Sequence, residues 1–576
     1  MDNKLPVNID EILTGIMKPG RYIGGEWNSV RKDWDRSRVR VCLAYPDVYE
    51  IGMSYLGLQI LYHLINSKGP WLCERVFAPW GDMENRLRER GVGLFSLESR
   101  NPISAFDVVG FSLGYELTYT NVLNMLDLGS IPVMASERGD NCAIVIAGGP
   151  CALNPVPIRD FIDVFFIGEA EESIVEFLDL YERLKSRGSR RGEILEKAAR
   201  LDGVYVPVIH GDGAAVRKRI VKDLENAFYP RNPIVPFIQT VHDRVAVEVM
   251  RGCPNTCRFC QARSVYAPVR VRSGKKVVEI AAESLASTGH DEVSFLSLST
   301  SNYPHLRDVI DSMNAMFEGK GINISVPSLR VEDICMDLPQ KIARNRRTGL
   351  TFAPESGSER IRDILDKAID MEKLNTAVEA AYSHGWRRVK LYFMIGLPGE
   401  EMSDVNDIAG VVRAISGAGG KKAGHSGPGR GRMDVSVSIN NFVPKPHTPF
   451  QWLGMEGCGG LQDKQEYLKE RLRHLKVRVS FQDVATSVLE GVLSRGDGSL
   501  NPIILDAWRR GARFDAWSET LNMNAWTEAF KNAGFSIYDR AQERFHADRK
   551  LPWGFIDACM PEGYFAREAA KTGVVF

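Results

Sequence analysis

Short apolar segments that each end in glycine, serine, proline or cysteine recur along this chain, and they constrain its fold more than any other feature. In the second half, six such segments are predicted strands separated by helical patterns: 246–250, 293–298, 322–327, 350–353, 389–395 and 435–442. Strands that alternate with helices predict parallel pairing. Six strands of this kind predict a partial (β/α)₆ barrel, in which functional residues lie at the carboxyl ends of the strands.

Three cysteines follow the first of these strands. Cys253, Cys257 and Cys260 form a C-x₃-C-x₂-C run, with Phe259 directly before the third cysteine. Thiolates are the ligands that iron–sulfur clusters and zinc prefer. A [4Fe–4S] cluster held entirely by protein takes four cysteines, so three would leave one iron open for chemistry. A zinc knuckle, or a structural cluster completed by Cys335 or a histidine, is the alternative, although no second cysteine pair accompanies the run.

The cysteine run resembles that of the radical S-adenosylmethionine (SAM) superfamily. Two further sequences strengthen the resemblance: Glu355-Ser356-Gly357-Ser358 after the fourth strand and Gly396-Leu397-Pro398-Gly399-Glu400 after the fifth. The Gly-Gly-Glu that this family carries after the second strand is absent, because that strand ends at 297–301 in Ser-Leu-Ser-Thr-Ser.

The resemblance implies a [4Fe–4S] cluster and a bound SAM molecule that is reductively cleaved to a 5′-deoxyadenosyl radical. It implies that Cys253, Cys257 and Cys260 bind the cluster. The residues that it places against SAM are Phe259, Glu355, Ser356, Gly396, Pro398 and Gly399.

The N-terminal third, residues 38–180, also alternates predicted strands (39–45, 74–78, 93–97, 107–113 and 143–147) with helical patterns. This pattern predicts an α/β fold with a doubly wound, flavodoxin-like parallel sheet. Three polar or glycine-rich features follow its strands: the segment 46–52, Ser112-Leu113 and Gly148-Gly149. Glycines at such positions let a bulky nucleotide approach the backbone.

These features resemble the cobalamin-binding domain of cobalamin-dependent radical SAM enzymes. Asp47-x-Tyr49-x-x-Gly52 is similar to the family's Asp-x-His-x-x-Gly, but tyrosine replaces the histidine that would ligate cobalt. The resemblance implies cobalamin contacts from Asp47, Tyr49, Gly52, Ser112, Gly148 and Gly149. The alternatives are a flavodoxin-like domain without a ligand, or one that binds another nucleotide.

The remaining segments are an N-terminal extension (1–37), a connecting segment (181–235) between the sheet domain and the central domain (236–455), and a mainly helical C-terminal domain (456–576). Lys plus Arg and Asp plus Glu number 73 each, so no overall basic field indicates nucleic acid binding. The sequence shows no signal peptide and no run of 18 apolar residues, which argues against a membrane protein. Ten cysteines in 576 residues are too sparse for a disulfide scaffold, which predicts a reducing cytoplasm.

The expected function is that of a radical SAM enzyme that uses cobalamin for methyl transfer or related radical chemistry on an unknown substrate. A flavodoxin or a ferredoxin-like protein is the expected electron donor, and no catalytic side chain is assigned. One rival is a methylthiotransferase-like enzyme acting on tRNA, with a second cluster on Cys42, Cys73 and Cys151. The other rival is a non-catalytic iron–sulfur electron-transfer protein.

Overall fold

The N-terminal part of the chain forms a six-stranded sheet. In this computed structural model, residues 9–211, 213–327, 349–383, 386–417 and 433–574 are described. The strands of the first sheet are β1 (Val39–Tyr45), β2 (Trp71–Phe77), β3 (Val108–Ser112), β4 (Ile144–Gly148), β5 (Val164–Phe166) and β6 (Val204–Tyr205). Their order is β2-β1-β3-β4-β5-β6, and all neighbours pair in parallel except β5 and β6. The doubly wound sheet predicted from the alternating pattern is confirmed.

Eight helices accompany this sheet. They are α1 (Ile9–Leu13), α2 (Tyr49–Gly52), α3 (Leu56–Ser67), α4 (Gly81–Arg90), α5 (Tyr119–Leu128), α6 (Ser173–Ser186), α7 (Arg191–Ala198) and α8 (Pro207–His210). Apolar side chains of α3, α6 and α7 pack with one face of the sheet. Residues 181–205, expected to belong to a connecting segment, are therefore part of this domain.

Two details of the predicted sheet are wrong. Residues 93–97 do not form a strand, since only Phe95 makes an isolated bridge, to Pro102. Strands β5 and β6 were not predicted, because three and two residues are too few to show a period-two pattern.

The central part contains two parallel sheets. The strands in chain order are β7 (Val216–Arg217), β8 (Val245–Glu248), β9 (Met250–Arg251), β10 (Arg270–Val271), β11 (Glu292–Leu296), β12 (Asn323–Ser325), β13 (Leu350–Glu355), β14 (Arg388–Ile395), β15 (Asp434–Asn441), β16 (Arg478–Phe481) and β17 (Ile556–Asp557). One sheet has the order β12-β11-β8 and the other β13-β14-β15-β16. The two sheets and their helices correspond to the predicted partial barrel and are called the barrel below. All six predicted strands are present, and β16 adds a seventh from a region that was expected to be helical.

Helices cover one face of each central sheet. They are α9 (Ala262–Tyr266), α10 (Gly274–Thr288), α11 (Leu306–Met316), α12 (Glu359–Leu365), α13 (Met371–Ser383) and α14 (Met402–Gly417). In β14 the odd-numbered side chains are buried, while the even-numbered ones are exposed or half-buried. This period of two places the apolar side chains against the helices and directs more polar side chains to the opposite face of the sheet.

The C-terminal helices pack on both preceding parts. They are α15 (Cys458–Leu472), α16 (Val484–Arg495), α17 (Leu500–Arg509), α18 (Met523–Asn532), α19 (Ile537–Gln542) and α20 (Tyr564–Ala570). One apolar core contains Leu126 of the first sheet domain, Val437 of β15 and Ile504 of α17. Among the described residues, no helix is both long enough and apolar enough to cross a membrane.

Candidate cluster, SAM and cobalamin site

The cysteine loop lies between β9 and β10, which pair antiparallel and hold both ends of the segment. Arg258, inside the loop, fixes it to helices α12 and α20. Its backbone N–H donates to the Leu365 carbonyl at 2.9 Å, and its guanidinium donates to the Asp363 carbonyl at 2.9 Å and to Glu568 of α20 at 3.3 Å. Sequence reasoning did not single out Arg258, because an arginine within a cysteine run carries no signal of its own.

The three thiols are half-buried, and burial dominates their electrostatics. The pKa of Cys257 is raised to about 11, chiefly by burial; Lys367 opposes the increase, and the neighbouring Cys260 and Cys253 add to it. Burial likewise raises the pKa of Cys260. The donor set is the one that an iron–sulfur cluster requires. Within the described ranges no three His, Cys, Asp or Glu side chains form a ready-made metal-binding group, so the loop offers the donors without a preformed ligand geometry.

Glu355 ends β13 beside this loop. Its φ of 68° is unusual for a residue other than glycine, and the register with β14 shifts just before it. Lys367 pairs with the Glu355 carboxylate at 3.1 Å. Burial raises the pKa of Glu355 although Lys367 opposes this. Burial lowers the pKa of Lys367, but Glu355 and Cys257 raise it by more. Lys367, which the motif comparison missed, thus provides positive charge to both Glu355 and the thiols.

Side-chain contacts fix the turn after β14, residues 396–400. Gly396 has a φ of 76°, and an added Cβ would lie 2.7 Å from a Leu461 side-chain atom. Its N–H donates to Glu400 at 2.7 Å, and Glu400 pairs with Lys464 at 2.8 Å. Glu400 therefore stabilises the turn. Pro398 and Gly399 form its outer part, where the Gly399 carbonyl accepts from Arg360 at 2.9 Å.

An apolar cluster joins the strand ends. Phe259 of the cysteine loop packs with Leu397 after β14 and with Phe442 after β15. Ser356 is fully buried, and its hydroxyl accepts from the Ser358 N–H at 3.2 Å. The cysteine loop and the ends of β13, β14 and β15 thus meet in one place. The arrangement offers an apolar wall, a carboxylate and the cluster donors together, which suits a ligand with an aromatic base and charged groups.

A second site lies between the first sheet and the barrel. A cavity of about 440 Å³ is bounded by the carboxyl ends of β1, β3 and β4 and by the start of α3, and it continues to Arg251 and Gly252 at the cysteine loop. Its size is that of a small-molecule site, so it suits part of a large cofactor. Carboxyl strand ends where the strand order reverses are the usual ligand position in such sheets.

Of the six residues expected to contact cobalamin, three line this cavity: Ser112, Gly148 and Gly149. Ser112 and Gly148 stand opposite each other on β3 and β4. Gly149 has a φ of 117°, and an added Cβ would lie 2.7 Å from the Leu113 carbonyl, so only glycine fits there.

Asp47, Tyr49 and Gly52 are not among the cavity's lining residues. Asp47 accepts from the Trp517 indole at 3.0 Å, and burial raises its pKa. The Tyr49 hydroxyl donates to Glu26 at 2.9 Å, and the ring is 1% exposed. An added Cβ on Gly52 would lie 2.3 Å from the Phe77 ring. In this structure these three residues serve packing and internal pairing.

An ion network connects the two sites. Arg251, two residues before Cys253, pairs with Glu169 at 3.1 Å, Glu171 at 2.8 Å and Glu248 at 3.0 Å. Glu169 and Glu171 follow β5 of the first sheet, and Glu248 ends β8 of the barrel. All four residues line the cavity. Arg251 therefore fixes the cysteine loop relative to the cavity.

Comparison with protein families agrees with this geometry. Residues 247–412 match the model described as the radical SAM superfamily, and residues 57–207 match the one described as radical SAM proteins, N-terminal. Together the two matches cover more than half of the chain. The chain belongs to the radical SAM superfamily. That family implies a [4Fe–4S] cluster and SAM as cofactors, and a reductant and a substrate as partners.

Relatives of this radical SAM protein differ in how much of the chain they match. It is 27% identical over 472 residues to "Uncharacterized protein MJ0966" of Methanocaldococcus jannaschii, covering 80% of this chain and 89% of the relative. It is 25% identical over 287 residues to the ribosomal protein uS12 methylthiotransferase RimO of Desulfotalea psychrophila, covering 48% of this chain and 59% of RimO.

Two solved structures are similar in fold. The radical S-adenosylmethionine methyltransferase TsrM from Kitasatospora setae, with cobalamin and [4Fe–4S] cluster bound, matches with a TM-score of 0.47 and 12% identity over 70% of this chain and 75% of TsrM. The cobalamin-dependent S-adenosylmethionine radical enzyme OxsB, with aqua-cobalamin bound, matches with a TM-score of 0.49 and 12% identity over 81% of this chain and 68% of OxsB. These identities are too low to transfer an activity.

Proposed function

We propose that this protein is a cobalamin-dependent radical SAM enzyme that transfers a methyl group, or performs related radical chemistry, on a polar substrate. The observation that carries the proposal is the glycine-lined cavity at the carboxyl edge of the first sheet, which reaches Arg251 and Gly252 at the start of the cysteine loop. A cofactor held there would lie next to the cluster and SAM.

The protein's own residues have separate tasks in this proposal. When bound, the cluster supplies the electron that cleaves SAM, and cobalamin supplies methyl-transfer chemistry. Cys253, Cys257 and Cys260 hold the cluster, and Lys367 offsets the thiolate charge. Phe259, in the apolar cluster at the strand ends, and the 396–400 turn would contact the base of SAM. The Glu355 carboxylate, held by Lys367, would accept one of its polar groups.

The polar face of the larger central sheet, opposite its helices, favours an enzyme over an electron carrier. The side chains that alternate with the buried ones are mostly polar: Arg388, Lys390, Tyr392 and Met394 on β14, and Asp434, Ser436, Ser438 and Asn440 on β15. Lys390 lies over the Tyr392 ring at 4.7 Å. A polar wall with hydroxyl groups and a cation below the SAM site provides space and hydrogen-bonding groups for a substrate, which an electron carrier does not need.

The test uses the anaerobically purified, reconstituted full chain. We expect about one [4Fe–4S] cluster and one cobalamin per chain, and slow formation of 5′-deoxyadenosine from SAM under dithionite. S-adenosylhomocysteine is expected as well, because methylcobalamin would be regenerated from SAM. A flavodoxin or a ferredoxin should replace dithionite. A loaded, reduced cluster that yields no 5′-deoxyadenosine would contradict an enzymatic function, and 5′-deoxyadenosine without any cobalamin binding would contradict the cobalamin part alone.

A methylthiotransferase-like function is the second candidate. Two relatives are named methylthiotransferases and a third is named a tRNA-2-methylthio-N(6)-dimethylallyladenosine synthase, and their matches cover 28–48% of this chain. The second cluster expected for it was placed on Cys42, Cys73 and Cys151. Cys42 and Cys73 are fully buried on neighbouring strands, but they belong to the apolar cores on opposite faces of the sheet. They cannot bind one cluster without rebuilding the sheet. Iron analysis distinguishes the two functions: about eight iron atoms per chain would favour the methylthiotransferase, and about four the first proposal.

A further inference from the structure

The segment before the first barrel strand brings a histidine to the cofactor cavity. His242 lies three residues before β8, and it is the one histidine among the described residues that line the cavity. It belongs to neither the cysteine motif nor the Asp47–Gly52 motif. Its side chain is exposed at the cavity mouth, so it is not a core residue.

His242 lies against the loop that connects β1 to α3. Its backbone N–H donates to the Ser54 hydroxyl at 3.1 Å, and Ser54 also lines the cavity. This is the loop that carries Asp47, Tyr49 and Gly52. Tyr49, which stands where the related motif has histidine, is directed to Glu26 and cannot reach a ligand in the cavity. His242 instead provides an imidazole that can reach a ligand in the cavity.

The contacts of the imidazole define what it can do. Arg244 approaches the Nδ1 atom at 3.3 Å, and a guanidinium can only donate, so Nδ1 accepts and the proton of the neutral ring resides on Nε2. Arg244 itself is held by Glu292 at 2.6 Å. Partial burial at the cavity mouth and the nearby Arg244 both lower the pKa of His242, which favours the neutral ring. Nε2–H is then a hydrogen-bond donor rather than a metal ligand.

We propose that His242 recognises the cofactor in this cavity by donating a hydrogen bond from Nε2 to an amide or phosphate oxygen of cobalamin, without ligating cobalt. This inference rests on the proposed function. It assigns the missing polar contact to the segment between the two domains, and it predicts that the sheet domain alone binds the cofactor less tightly than the full chain.

The test is titration of hydroxocobalamin into the anaerobic full-length protein, followed by visible absorbance. His242→Ala should weaken the affinity by about tenfold, the effect of losing one hydrogen bond in a partly desolvated site. His242→Gln, which keeps an N–H donor, should stay within roughly threefold of the wild type. His290→Ala, at a half-buried histidine that does not line the cavity, is the matched control and should bind like the wild type.

Electron paramagnetic resonance of the Co(II) form completes the test. A donor role predicts no nitrogen superhyperfine splitting in either the wild type or His242→Ala. Splitting in the wild type that disappears in His242→Ala would show that the imidazole ligates cobalt, which overturns the donor role. Unchanged affinity in His242→Ala would overturn the inference and leave the proposed function standing. Absence of hydroxocobalamin binding in the wild type would instead refute the cobalamin part of that function.

Discussion

The cysteine-loop end of the barrel and the carboxyl edge of the first sheet both carry sequence motifs, but the structure uses them differently. At the barrel, the cysteine loop and the ends of β13, β14 and β15 meet around Phe259 and Leu397. At the first sheet, Ser112, Gly148 and Gly149 line the cavity, whereas Asp47, Tyr49 and Gly52 do not. A motif is therefore a better guide to position where it ends a strand than where it opens a loop whose side chains can turn either way.

The largest effect that separates the two regions is loss of the cluster. Replacing Cys253, Cys257 and Cys260 with alanine should remove nearly all cluster iron, sulfide and visible absorbance, because the loop then has no soft ligands. Cys142→Ala, a half-buried thiol of the first domain, should keep them. Iron and sulfide analysis of anaerobic protein gives the measurement. Zinc in place of iron in the wild type would point to the zinc-knuckle alternative.

A large side chain placed in the cavity of the first sheet should impair cobalamin binding without affecting the cluster. An added Cβ on Gly148 would make only ordinary contact with Phe166 at 3.5 Å, so Gly148→Leu fits the backbone while its branches fill the cavity. We expect hydroxocobalamin affinity to fall more than about 30-fold, with cluster content unchanged, since large apolar contacts are lost. Gly192→Leu, on an open helix surface, is the control. Equal affinity in both variants would show that cobalamin binds elsewhere.

Low pH should weaken the contact between the first sheet domain and the barrel. The buried His447 ring donates from Nε2 to the Leu153 carbonyl at 3.0 Å, and the His447 carbonyl accepts from Ser264 of α9 at 2.6 Å. Burial lowers the pKa of His447 to about 4, below its unfolded value of 6.5. Its contribution to stability is therefore complete above pH 6.5 and is lost as the pH falls to 4.

This loss amounts to roughly 3 kcal/mol. Urea unfolding of the wild type and of His447→Gln between pH 7 and pH 4 measures it, because the variant lacks this titration. Parallel pH dependence of the two proteins would refute the assignment.

A smaller effect tests the Glu355–Lys367 pair. Glu355→Ala should weaken SAM binding by about tenfold, since one buried polar contact is lost. Lys367→Met should weaken SAM binding by a similar factor. If the pair works as a unit, the double variant should lose less SAM-binding free energy than the two single variants added together. Equilibrium SAM binding to the reconstituted protein is the readout, with the exposed Glu359→Ala as the control. Additive losses would mean that each residue contacts SAM independently.

The smallest effect concerns Tyr49. Tyr49→Phe removes the hydrogen bond to Glu26, which also pairs with the buried Arg75 at 2.9 Å. We expect a loss of about 1–2 kcal/mol in the free energy of unfolding and no change in hydroxocobalamin affinity. Urea unfolding and cobalamin titration together make the measurement. Weakened cobalamin binding at unchanged stability would show that Tyr49 contributes to the cofactor site.

By itself, the sequence determined the order of the parallel strands along the chain and the position of the cysteine loop, because period-two burial and three thiols within eight residues are local properties. It also located the strand ends that meet at the two candidate sites. Short β5 and β6 gave no periodic signal, and β16 follows a helix in a region of helical pattern, so neither was found.

Only the tertiary structure decided which charged groups meet. Lys367 beside Glu355, Arg251 among three carboxylates and His242 at the cavity all pair residues whose contact depends on how separate elements pack. Such contacts leave no local pattern, since one charged side chain in a loop looks like any other until the fold excludes water around it. The same packing turned Tyr49 and Asp47 away from the cavity, toward Glu26 and Trp517.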